Sequence, residues 1–197
     1  MSADFRDVIT HPNYSLPFLQ PGRLVKVKYK ALDFGWGVVI NYQKRLSPKV
    51  NSSLCASKLT ADRTLQNRPM PKPEEFPPHE QYILDVLLNC SRGSAASKDR
   101  ANLTPTPGGV LPCPPGQKGE PLVVPVLLSI IEGLSHLRIF LPKDLRPLSA
   151  RETVWKSVQE VHRRFPEGIA MLDPIENMDI KDEKFKALVK VRITKHL

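Results

Sequence analysis

Residues 23–30 (RLVKVKYK) alternate strictly, with Val25, Val27 and Tyr29 on one side and Lys26, Lys28 and Lys30 on the other. A period of two is the mark of a half-buried strand, here with a row of ammonium groups on its wet face. Residues 36–43 read as the second strand, and the turn between the two is expected at residues 33–37 (DFGWG), where glycine tolerates positive φ. Residues 80–90 (EQYILDVLLNC) are apolar enough for a third strand buried on both faces, apart from Asp85. Residues 121–128 and 134–141 form strands four and five. Pro125 places the fourth at an edge or on a bulge, and the intervening SIIEG makes a single helical turn. Residues 4–20 read as extended, set off from the first strand by Pro21-Gly22.

After Leu141 the period lengthens. Ser149 and Glu152 have the spacing of a capping box, and Val154, Val158, Val161 and Phe165 then mark one helical face that ends at Pro166 and Gly168. A second helix is expected from Asp182, with Phe185, Leu188 and Val189 on one face. Residues 46–79 and 91–119 lack periodicity and are rich in Pro, Ser and Asn or Gly, so they read as irregular insertions. The expected architecture is mainly β with appended α: a five-stranded antiparallel sheet closed into a small barrel of SH3-like or OB type, followed by two helices. Closure would remove the exposed edges of so small a sheet.

Charge sharpens this picture. The chain has 197 residues and a formal net charge of +9. Residues 21–50 alone hold seven Lys or Arg and one acid, Asp33. A basic strip on a small barrel points to a polyanion such as nucleic acid. The three cysteines are widely spaced and form no metal-ligand pattern, so thiols are expected to be reduced and no metal or other cofactor is expected. The start of the sequence has no apolar signal segment, and no stretch is long and apolar enough to span a membrane. No phosphate-binding loop, nucleophile elbow or assembled triad is evident, so no residue is assigned a catalytic role. Trp36, flanked by Gly35 and Gly37, reads as core in preference to a base-stacking platform, and Trp155 as packing between helix and barrel.

Six segments, FLQPGRLVKV, FGWGVV, VPVLL, LRIFLPKDLRP, ETVWKSVQEVHRRFPEGI and LDPIENM, occur in an order that resembles the arch region of the nuclear RNA-exosome DExH-box helicases of the TRAMP complex. The resemblance covers residues 3 to about 190. It implies a helical stalk carrying a KOW-type barrel: residues 1–20 connect to the stalk, 21–147 form the barrel with its two insertions, and 149–197 begin the returning stalk. The ATPase domains of the family lie outside the match, so the chain is expected not to be an enzyme by itself.

Two binding roles follow from the resemblance. Structured RNA, such as tRNA or rRNA precursors, would be held by Lys26, Lys28, Lys30, Lys44, Arg45 and Lys49. Ammonium groups bind phosphate as point charges without base specificity. Adaptor proteins carrying arch-interacting motifs, which present apolar residues and an aspartate, would be held by Tyr42, Asp85, Leu137 and Arg138. Asp85 stands where the family usually has a longer acidic side chain. By alternation Arg138 shares its side with His136 and Phe140, opposite Leu137. The resemblance further implies a nuclear monomer, in nucleolus or nucleoplasm, linked indirectly to the RNA exosome. The alternative is an architectural fragment or degenerate paralogue with no binding of its own.

Overall fold

The computed structural model describes residues 3–45, 77–93, 110–181, 183 and 185–187. Five strands, β1 (Arg23–Tyr29), β2 (Leu32–Lys44), β3 (Tyr82–Cys90), β4 (Glu120–Leu127) and β5 (Ile131–Arg138), form one antiparallel sheet in the order β4-β3-β2-β1-β5. β4 and β5 are the two edges and do not pair with each other. A single 3-10 turn, Leu128–Ile130, joins them and brings the edges round, so the barrel is partly open. Pro125 sits in edge strand β4, where its missing N–H costs no ladder bond.

The long β2 makes the curl possible. Its first half pairs with β1 and its second half with β3, with a register shift in each ladder. The hairpin turn falls at Lys30 and Ala31, where Lys30 takes φ 52°, and not at residues 33–37. The DFGWG segment lies inside β2: Val27 pairs with Gly35 and Lys28 with Asp33, leaving Phe34 as the extra residue of a bulge. Asp33 Oδ1 accepts from Gly35 N at 2.8 Å, and Gly35 has φ 67°. A turn-like sequence thus bends a strand instead of ending it.

Two apolar layers result. All five strands fill the barrel interior, through residues such as Val25, Val27, Val39, Leu84, Val86, Val124, Val126 and Leu134. Outside the barrel, Leu24, Val38 and Leu87 share a second apolar cluster with Val154, Val158 and Ile169, so β1, β2 and β3 are buried on both faces there, and the helix α3 (Leu148–Arg164) lies mainly against β4 and β3. Trp36 is half-buried against this outer layer. Alternation in β1 is therefore broken at its start, because Leu24 on the lysine side is fully buried.

Residues 4–20 are not extended. They form the helices α1 (Ala3–Ile9) and α2 (Pro12–Ser15) and a 3-10 turn, Leu16–Phe18. His11 caps α2, its Nδ1 accepting from Asn13 N at 3.3 Å, with Pro12 at the first helical position. Ile9 and Leu19 are buried in the barrel core, which explains why so short a segment holds helical structure. The capping box is not used either. α3 begins at Leu148 with Pro147 before it, which puts Ser149 inside the first turn, where its carbonyl accepts from Thr153 Oγ1 at 2.9 Å. Val154 and Val158 are buried as the spacing predicts, while Phe165 is exposed. Glu183 and residues 185–187 are helical, and Phe185 is buried; Leu188 and Val189 lie outside the described residues. Most of both insertions also lies outside them, but Val110 enters the barrel core and Pro112 bridges to Cys90.

Candidate recognition surface

The lysine row on β1 is not a free cationic ladder. Lys26 Nζ lies 3.1 Å from Glu132 Oε2 of the neighbouring β5, as an ion pair without hydrogen-bond alignment. Lys28 Nζ lies 3.7 Å from Asp33 Oδ2, and Lys30 Nζ stands 5.1 Å above the Tyr29 ring. Each ammonium of the expected ladder thus has an internal partner. At the far end of β2, Lys44 is exposed, and the Arg45 backbone N–H donates to Gln81 O at 2.6 Å. Lys49 lies outside the described residues. Lys26–Lys30 and Lys44–Arg45 fall at opposite ends of the β1–β2 hairpin, so the structure does not gather them into one patch.

The four peptide-contact candidates are also divided. Leu137 packs with Ile139 and Leu141 into the layer under α3, and Asp85 shares its alternation phase with Leu87 of that layer. Tyr42 stands opposite Leu84, a barrel-interior residue, and Arg138 opposite Arg23. Tyr42 projects beyond the interior, half-exposed, with its ring edge-on to Tyr82 at 6.3 Å. Asp85 and Arg138 stand near one level of the sheet but on strands three spacings apart, roughly 14 Å. They are not a pair. An extended peptide of four or five residues covers about that distance.

What the structure does assemble is a cationic corner. The Arg23 guanidinium is tied into the fold, donating through Nε to Phe18 O at 2.9 Å and through Nη1 to Ser135 O at 3.0 Å and His136 O at 2.9 Å. Arg138, across the ladder, rests on Pro21 O through Nη2 at 3.0 Å and on Gln20 Oε1 through Nη1 at 2.6 Å. Burial, and then the neighbouring charge of Arg138, push the Arg23 pKa below its ordinary value. Among the described residues no carboxylate pairs with either guanidinium. Nε of Arg138 also points to Pro21 O, at 3.3 Å, which leaves two of its five N–H groups for a ligand.

Three features of this corner were not foreseen from the sequence. Arg23 supplies the second charge, the Pro21 carbonyl orients the fork, and Phe140, which is 89% exposed, stands two residues beyond Arg138. Alternation already put Phe140 on the Arg138 side, but exposure of a residue in an apolar run is decided by tertiary packing.

The description "Mtr4-like, beta-barrel domain" matches residues 11–194. The chain belongs to the Mtr4-like β-barrel family. The exosome RNA helicase MTR4 of Homo sapiens is 40% identical over 197 residues, which is 100% of this chain and 16% of that helicase. The ATP-dependent RNA helicase mtr4 of Schizosaccharomyces pombe is 41% identical over 187 residues, 95% of this chain and 15% of the relative. The DExH-box ATP-dependent RNA helicase DExH10 of Arabidopsis thaliana is 37% identical over 183 residues. The chain therefore corresponds to the barrel-bearing arch of exosome RNA helicases and spans about one sixth of the length of these relatives.

Proposed function

We propose that this barrel is the recognition module of an exosome-associated RNA helicase working in the nucleus, and that it takes adaptor peptides at the Arg138 corner and structured RNA on its remaining basic surface. The observation that carries the peptide half is the pair of arginines set opposite each other in the β1–β5 ladder, near enough for the charge of Arg138 to act on Arg23, with no carboxylate paired to either among the described residues. An aspartate delivered by a peptide would relieve that repulsion and meet a fork already oriented by Pro21 O and Gln20. Exposed Phe140 and half-exposed Tyr42 offer aromatic contacts for the apolar residues of the same peptide. Asp85 and Leu137 are weaker candidates, since both share the phase of the helix-covered face.

The RNA half is favoured by the net charge of +9 and by exposed Lys44. Precursor tRNA or rRNA would be held through phosphate contacts, with weak sequence preference and strong salt dependence.

Titration of the chain with a labelled peptide bearing apolar residues followed by Asp tests the peptide half, with Arg138→Glu as control. Micromolar binding by the wild type, lost in the variant while thermal melting stays unchanged, is the expected result. A cooperatively melting wild type that binds no such peptide overturns the assignment and leaves the domain architectural at that corner.

A further inference from the structure

A second surface, on the far flank of α3, has a different chemistry. A pocket of about 250 Å³ opens between the helix and the start of β4. Its helical wall is formed by Glu152, Trp155, Lys156 and Gln159, which are spaced to share one face. The other wall is Asn89 of β3 with Gln117, Lys118 and Gly119 leading into β4. Trp155 is half-buried, anchored on the apolar layer beneath α3 while bordering the cavity. The two walls are locked together. Arg151 Nε donates to Pro121 O at 2.9 Å, and its Nη1 donates to Arg146 O at 2.7 Å. Gly119 shapes the opposite side, because a Cβ there would run into the Asn89 carboxamide.

This lining has an aromatic platform, three carboxamides that can both donate and accept, two exposed ammonium groups and one carboxylate, that of Glu152. A flat heteroaromatic ring with hydrogen-bonding edges matches the platform and the carboxamides, an amino group on its edge has the Glu152 carboxylate as acceptor, and its phosphate falls to the two ammonium groups, outweighing the single negative charge. An apolar peptide side chain would leave the carboxamides unmatched. The volume is below the roughly 300–1,000 Å³ of sites that enclose a whole drug-sized ligand, which suits one ring with its backbone outside. We propose that this pocket receives one unpaired base of single-stranded RNA, stacked against Trp155, with Lys118 and Lys156 on the flanking phosphates. The inference rests on the RNA half of the reading above but uses neither the Arg138 corner nor Lys44.

The test is a fluorescence titration with a short unpaired RNA carrying one 2-aminopurine, beside a blunt duplex of the same sequence. The wild-type chain is expected to quench the unpaired probe. Trp155→Leu is expected to abolish the quench and weaken unpaired RNA roughly tenfold while leaving duplex affinity unchanged, since stacking on an aromatic side chain carries that much per base. Gln159→Ala changes an exposed position and so keeps the fold out of question; it is expected to weaken unpaired RNA several-fold. Unchanged quenching and affinity in both variants overturns the proposal, as does loss of the apolar–aspartate peptide in Trp155→Leu, which would make the pocket a peptide site. If neither duplex nor unpaired RNA binds, the RNA half of the general reading falls as well. Duplex binding with unpaired affinity independent of Trp155 removes this inference alone.

Discussion

Lys26 on β1 and Glu132 on β5 form a half-shielded ion pair at 3.1 Å, 106 residues apart in sequence. The charge that looks most available for RNA is thus committed to the joint between the first and last strands. Lys26→Glu would set two carboxylates against each other in place of the pair, and like charges across strands destabilise. The expected outcome is a loss of about 1–3 kcal/mol of stability in denaturant melts. The charge-swapped double variant, Lys26→Glu with Glu132→Lys, is expected to recover part of it. A single variant that melts like wild type and merely weakens RNA binding would restore the lysine ladder as an RNA surface.

Gly22 has φ 87° and sits where three backbone segments meet: its N–H donates to Val39 O at 2.8 Å and its carbonyl accepts from Ile139 N at 2.9 Å. A Cβ there would collide with the Ile139 carbonyl oxygen. Gly22→Ala combines left-handed backbone strain with a clash that only main-chain movement can relieve. It is expected to cost about 2–4 kcal/mol and to loosen peptide binding at the adjacent Arg138. Equilibrium unfolding of the variant measures this directly, and a loss under about 1 kcal/mol would contradict the rigid junction.

Cys90 is fully buried, and burial, with smaller contributions from Cys113 and Glu120, pushes its thiol up to about 12. The thiolate is the reactive form, so at neutral pH Cys90 should resist alkylation in the folded protein. Cys113 is half-buried and should react first of the two. Mass spectrometry after a timed iodoacetamide pulse, with and without denaturant, separates them. Native labelling of Cys90 as fast as Cys113 would show that the β3–β4 end of the barrel opens readily.

The strands and the main helix were legible because their signals are local. Alternation marked β1, apolar density marked β3, and the Val154–Val158 spacing marked the buried face of α3. Pro125 correctly announced an edge. The misreadings share one cause, the dependence of a local pattern on distant partners. Asp33 and the glycines around Trp36 have turn chemistry, but pairing with β1 on one side keeps them in a bulged strand. The lysine row looked free because Glu132 lies in another strand, and the leading helices were missed because only the barrel core gives Ile9 and Leu19 somewhere to go. The cationic corner was half legible: Arg138 stood out within an apolar run, while Arg23 gained meaning only from the ladder that sets the two opposite each other.

The bond from Ile139 N to the Gly22 carbonyl has a mechanical consequence. The residue entering β1 and the residue leaving β5 are clasped there, so the open end of the β1–β5 ladder is closed by a bond that must break before the two strands can peel apart. Whatever docks at Arg138 sits beside that clasp, so a bound ligand and fraying of the ladder end oppose each other.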